Sequence, residues 1–237
     1  MESEAVQLPL WQQAWAWFEA NKKPALWGAA GVAVVGVIVA GYLYHKNETE
    51  IAASEAVSNV ALPQITGVGS GDMADMYLKV ASTYPDTRGG ARALLLAAGV
   101  LFVEGKYPDA KAQFERFTKD YSTSPLLSEA LLGIASCVDA QGNAAEATAK
   151  YRDLIDHHPS EQVLPQARFA LGRLYEAQNM FEQARNMYEE AARSDPYGAL
   201  GSEAGMRLEE LKLKHPNLAP AVMPMLTSTN QAPAPKR

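Results

Sequence analysis

Three stretches decide how this chain is read: Glu104 to Phe114 (EGKYPDAKAQF), Ala140 to Tyr151 (AQGNAAEATAKY) and Ala177 to Tyr188 (AQNMFEQARNMY). They align without gaps, with Ala110, Ala147 and Ala184 spaced 37 residues apart and Phe114, Tyr151 and Tyr188 spaced likewise. Eight residues past each aromatic come Ser122, Pro159 and Pro196. Proline ends a helix there, because it lacks an N–H and its ring clashes with the preceding turn. Upstream, Leu94/Ala98/Leu101, Leu131/Ala135/Val138 and Arg168/Gly172/Tyr175 occupy matching places. Each unit therefore reads as two helices. A small residue sits where they cross, an aromatic fills the space between units, and a breaker turns the chain into the next pair.

These residues resemble a tetratricopeptide repeat, whose small-residue, Tyr, Ala, aromatic and Pro anchors correspond to Gly172, Tyr175, Ala184, Tyr188 and Pro196. The standard unit is about 34 residues, so the linkers here are about three longer. Repeats are expected at about 90–125, 126–162 and 163–199. Projecting the period backwards places Met73, Tyr77, Val80 and Pro85 at the Ala, aromatic, apolar and Pro positions, so residues 45–88 read as a degenerate fourth hairpin. Its first helix runs from Glu48 to Ala61, and Gly67 to Gly71 form the turn. Residues 200–215 read as a solvating cap helix, and the Pro/Ala/Ser/Thr-rich 217–237 as a disordered tail.

Ahead of the repeats, Ala25 to Tyr44 (ALWGAAGVAVVGVIVAGYLY) is twenty positions without a charge. At about 1.5 Å per residue, that length crosses a hydrocarbon core of about 30 Å. Lys22-Lys23 and His45-Lys46 bracket it, and Trp27, Tyr42 and Tyr44 fall near its ends, where amphipathic rings favour the headgroups. A cleavable signal would be shorter and followed by small residues, whereas Tyr42, Leu43, Tyr44 and His45 follow here. The segment is read as an uncleaved transmembrane helix. Two lysines before it against one after place residues 1–24 in the cytoplasm; a domain on the cytoplasmic side is the alternative. Leu8, Trp11, Trp15 and Phe18 share one helical face, which reads either as an interfacial helix or as an extension of the anchor.

Forty alanines in 237 residues favour an all-α chain, since Ala is the best helix former. A net charge of −6 gives no electrostatic reason to bind a nucleic-acid backbone. The single Cys137 cannot form an intrachain disulfide or a Cys-rich metal site. His157 and His158 are adjacent, so on a helix they point about 100° apart and make poor joint metal ligands. There is no phosphate loop or dinucleotide fingerprint. The reading is a non-enzymatic chain without cofactor, metal or small-molecule substrate, whose partners are proteins and, through 25–44, the bilayer.

The resemblance implies a concave face lined by the first helix of each pair. Its positions here are Arg92, Leu95, Gly99 and Phe102, then Glu129, Leu132, Ser136 and Asp139, then Gln166, Phe169, Arg173 and Glu176. The Lys/Asn pattern with which family members clamp a C-terminal carboxylate is missing. An apolar stripe of Leu95, Phe102, Leu132 and Phe169 edged by Arg92, Asp139, Arg173 and Glu176 suits an amphipathic or unfolded polypeptide segment. The alternative is that superhelical curvature buries these residues in the core. The layout, together with Trp17 to Asn21 (WFEAN) before the span and the Ala/Ser-rich Ile51 to Val60 after it, resembles the YfgM family, the ancillary subunit of the bacterial SecYEG translocon. That resemblance implies an inner-membrane protein whose periplasmic domain engages a chaperone, translocon subunits or emerging secreted chains. A scaffold subunit of another stable membrane complex is the other reading.

Overall fold

The computed structural model describes residues 9–61 and 70–218. Its helices are α1 (Leu10–Ala20), α2 (Lys22–Ala61), α3 (Ser70–Thr83), α4 (Arg88–Val103), α5 (Tyr107–Asp120), α6 (Leu127–Ala140), α7 (Ala144–His157), α8 (Leu164–Ala177), α9 (Phe181–Ser194) and α10 (Ala199–Lys214), with a 3₁₀ turn at Pro216–Leu218. Among the described residues there is no strand. Two compact units emerge: 9–61 with 80–92, and 70–79 with 93–218.

In the first unit, α2 is one unbroken helix of 40 residues. Pro24 is accommodated in its first turn, where a missing N–H costs nothing. Its apolar part is long enough to cross a bilayer, and none of that stretch is buried. Further along, Ala53, Val57 and Val60 recur at helical spacing and are buried. The beginning of α4 is fixed to this face. Both oxygens of Glu50 accept from the Arg88 N–H at 3.0 and 3.2 Å. At Gly89 a Cβ would lie 2.6 Å from that of Ala53, so only glycine permits the approach. Thr87 caps α4, its Oγ1 accepting from the Gly90 N–H at 2.9 Å and donating to the Tyr84 carbonyl at 2.8 Å.

In the second unit the helices α5 to α9 each have 14 residues. Successive helices pack against one another, and α8 also meets α10. The core between them gathers Ala135 and Val138 of α6, Tyr151 and Leu154 of α7, and Ala167 and Leu171 of α8. The aromatic anchors Tyr77, Phe114, Tyr151 and Tyr188 are 3%, 7%, 2% and 0% exposed. Burying each such ring contributes about 2–3 kcal/mol. The alanines Ala110, Ala147 and Ala184 are fully buried at the crossings.

The pairs α4/α5, α6/α7 and α8/α9 each turn through a left-handed residue that also obeys the 37-residue period: Gly105, Gly142 and Asn179 have φ of 77°, 79° and 60°. The following N–H reaches back over the helix end, from Lys106 to Leu101, Asn143 to Val138 and Met180 to Tyr175, at 2.9, 3.2 and 2.8 Å. This bond satisfies carbonyls that a helix end leaves open. Asn143 then starts α7 by accepting from the Glu146 N–H at 3.4 Å while donating to the Glu146 carboxylate at 2.8 Å.

Four expectations change at the edges. The turn placed at Gly67 to Gly71 falls largely outside the described residues, and Ser70 and Gly71 already belong to α3. In the degenerate hairpin, Ala74 at 2% exposure is the buried small residue, with Met73 only half-buried, because α3 sits one residue out of phase at that position. The cap helix begins at Ala199. Asn217 and Leu218, assigned to a disordered tail, are ordered. Leu218 is 6% exposed and packs with Ala184, Tyr188, Leu208 and Leu211, and its carbonyl accepts from Arg185 at 2.8 Å. An apolar side chain one turn past α10 reaches the exposed end of the core, which composition alone does not reveal. The remainder of the tail lies outside the described residues.

Candidate functional site

The second unit carries an open cleft of about 820 Å³. Five helices contribute to it: Phe102 ends α4, Ser136 and Asp139 come from α6, Tyr151 from α7, Gln166, Phe169 and Arg173 from α8, and Leu200, Glu203 and Arg207 from α10. The residues on α6 and α8 recur every three or four positions, so each helix presents them on one face.

The cleft joins an apolar surface to charged edges. The ring of Phe102 lies tilted against Tyr107, with centroids 5.3 Å apart, and that of Phe169 against Tyr188 at 5.8 Å. Arg173 donates to Asp139 at 2.8 Å across α8 and α6, tying the walls of neighbouring repeats together. With the arginine half exposed, this pair contributes at most about 1 kcal/mol. Arg207 lies 3.6 Å from Glu210 on its own helix. Glu203 has no ion pair among the described residues and is exposed. The Tyr151 hydroxyl donates to Ser136 at 3.2 Å, and burial pushes its pKa up to about 12. Tyr188 donates to the Glu176 carboxylate at 2.8 Å, and burial together with that negative neighbour holds its pKa well above the ordinary phenol value. Both tyrosines are thus neutral hydrogen-bond donors.

Of the residues singled out in sequence, Phe102, Asp139, Phe169 and Arg173 meet in this cleft, with Ser136 and Gln166 beside them. Glu176 lines a smaller adjoining depression with Arg173, Tyr188 and Arg207. Leu95 is half-buried on α4 and does not line the cleft. Leu132 takes the alternative course and lies in the core, 8% exposed, with Ala135 and Val138. It does not line the cleft. Arg92 is exposed and belongs to the first unit. The contribution of α10 was not anticipated. Glu203 and Arg207 sit 37 positions beyond the cleft residues Gln166 and Ala170, so continuing the period through Pro196 would have carried the same face into α10.

Elsewhere the chemistry is structural. Cys137 is completely buried, and burial pushes its thiol pKa up to about 11, the reverse of an activated nucleophile. His157 pairs with Asp153 at 2.9 Å at the end of α7, and the His158 carbonyl accepts from Ser128 at 3.0 Å. No group of three or more His, Cys, Asp or Glu is placed to hold a metal among the described residues.

The family model for a tetratricopeptide repeat-like domain matches residues 15–226. A solved tetratricopeptide repeat protein from Parabacteroides merdae is 14% identical, with a TM-score of 0.52 over 68% of this chain and 60% of that one. Nearly identical TPR-like repeats from Podosopora anserina are 11% identical, with a TM-score of 0.53 over 69% of this chain and 88% of that one. PcrH from Pseudomonas aeruginosa is 18% identical, with a TM-score of 0.45 over 53% of this chain and 93% of its own. No curated protein matches the sequence.

Proposed function

The chain belongs to the tetratricopeptide repeat-like domain family, and from that membership we propose that it is a membrane-tethered module that holds a segment of a protein partner in the cleft of its second unit. The observation that carries this reading is the cleft itself: exposed parts of Phe102, Phe169 and Leu200 beside polar and charged edges, at a size suited to side chains of a bound segment. In this reading Ala25 to Tyr44 crosses the bacterial inner membrane, residues 1–24 are cytoplasmic and the repeats are periplasmic. The tether raises the local concentration of the cleft beside membrane partners, so weak contacts suffice. Secreted chains leaving the Sec translocon, a periplasmic chaperone or translocon subunits are the partners this placement supplies.

The test is site-specific photocrosslinking in native membranes. A benzophenone side chain at Phe102 or Leu200 is expected to give discrete adducts, and one at Arg116 on the exposed face of α5 none. Equal adducts from both faces, or none from the cleft, would reject the reading. Leu132 is unsuitable for such a probe because it is a core residue.

A scaffold role has its own observation. Tyr197 just before α10 and Met206 and Leu213 on it are 100%, 68% and 82% exposed, where a terminal repeat is ordinarily polar. Purification in mild detergent separates the two: a scaffold gives a complex of constant stoichiometry, and a transit site gives a varied, substoichiometric set of chains.

A further inference from the structure

Leu43, Lys46, Asn47 and Glu50 lie at i, i+3, i+4 and i+7, which makes them one stripe of α2. The stripe begins where the charge-free segment ends. With Arg88 it lines a cleft of about 380 Å³ within the first unit. Two features hold Arg88 there: the Glu50 carboxylate on its N–H, and the close approach of Gly89 to Ala53. The carboxylate is thereby engaged through both oxygens. The side chains of Lys46 and Arg88 are exposed and have no ion-pair partner among the described residues. Two cations against one carboxylate leave the cleft with a net positive charge.

Depth specifies what meets these cations. With Tyr44 at the hydrocarbon edge, a rise of about 1.5 Å per residue puts Lys46 and Asn47 about 3–5 Å beyond it and Glu50 about 9 Å beyond it. The headgroup layer occupies roughly the first 5–7 Å. Long basic side chains extend along apolar surface to reach that layer. We propose that this cleft binds the phosphate of an anionic phospholipid headgroup, with Lys46 and Arg88 supplying the charge, Asn47 donating a hydrogen bond and Leu43 lying against the upper acyl chain. The site rests on the reading of Ala25 to Tyr44 as a membrane span. It gives the base of the span a lipid preference by joining Arg88 to residues of α2 at least 38 positions earlier in the sequence.

The experiment uses the full chain in nanodiscs of equal phosphatidylcholine and phosphatidylglycerol, released and weighed by native mass spectrometry to count retained lipids. Wild type is expected to retain phosphatidylglycerol over phosphatidylcholine by on the order of tenfold. K46Q/R88Q is expected to bring the ratio near one, and K46R/R88K to preserve it. Because both side chains are exposed and the Glu50 bond uses the Arg88 backbone, the helical circular dichroism of these variants should match wild type. Equal retention of both lipids by wild type, or an undiminished preference in K46Q/R88Q, overturns the proposal. So does displacement of the retained lipid by inorganic phosphate, which assigns the cleft to a soluble anion. Failure of the chain to enter discs overturns the membrane reading as well, and is told apart because the protein then elutes without lipid.

Discussion

Gly172 on α8 faces the ring of Tyr188 on α9 so closely that a Cβ on the glycine would lie 2.7 Å from Tyr188 Cε1. The ring cannot swing away, because it is fully buried and its hydroxyl is bonded to Glu176 at 2.8 Å. Gly133 stands in the same relation to Phe114, at 2.5 Å from its Cζ. These two contacts set how closely α8 approaches α9 and α6 approaches α5.

Gly172→Ala is therefore expected to destabilise the second unit by about 1–3 kcal/mol, even though alanine is the better helix former. Thermal unfolding followed by circular dichroism checks this; an unchanged or raised midpoint would show that the helices separate without cost. Gly99, whose Cβ would meet nothing within 4 Å, is the control and should gain stability on the same substitution.

The left-handed turn positions make an opposite pair of predictions. Asn179 occupies with a side chain a conformation that Gly105 and Gly142 occupy without one. Asn179→Gly should raise stability by a few tenths to about 1 kcal/mol, and Gly142→Ala should lower it by about 1 kcal/mol. Urea denaturation with constant slope is the measurement, since only the midpoint should move.

Stability should fall in alkali. The folded pKa of Cys137 is raised from 9.0 to about 11 and that of Tyr151 from 10.0 to about 12, while Tyr188 is also raised. Above pH 9 to 10 the unfolded chain releases these protons and the folded chain keeps them, so each proton step favours unfolding. The contribution is fully present below about pH 9 and is lost progressively as pH rises through the folded values. Tyr151 alone should account for on the order of 2 kcal/mol. Unfolding free energies from pH 7 to 12 should show a plateau and then a decline. Tyr151→Phe should flatten that decline; the same slope in the variant would contradict the assignment.

Leu218 should behave as a core residue despite its position beyond the last α-helix. Leu218→Ala is expected to cost about 2–3 kcal/mol, through lost apolar burial and the space left between α9 and α10. Leu213→Ala, at an 82% exposed site five residues before Leu218, should change stability by less than 0.5 kcal/mol. Equal effects at both sites would mean that the Leu218 packing does not persist in solution.

The repeat was legible because its determinants are local and periodic. A crossing alanine, an aromatic and a breaker at fixed spacing specify a helical hairpin whatever lies around them, and Tyr77 kept its buried place even where the rest of its unit had degraded. The candidate site was legible in part for the same reason: Phe102, Asp139, Phe169 and Arg173 share equivalent helix faces and converge. Leu132 did not follow, although Leu95, Leu132 and Phe169 are equivalent in the repeat. Leu132 closes into the core at 8% exposure, whereas Phe169 is half-buried and lines the cleft.

By itself, the sequence determined an all-helical chain with a 37-residue unit and a long apolar helix ahead of it, because these depend on propensity and periodicity. The tertiary structure decided which face became a cleft, that α10 completes it with Leu200, Glu203 and Arg207, that Leu218 seals the core, and that Arg88 lies beside Lys46. Each of these joins residues far apart in the chain. Their meeting is fixed by helix crossing distances and angles, which the close approaches at Gly89, Gly133 and Gly172 set and no local pattern encodes.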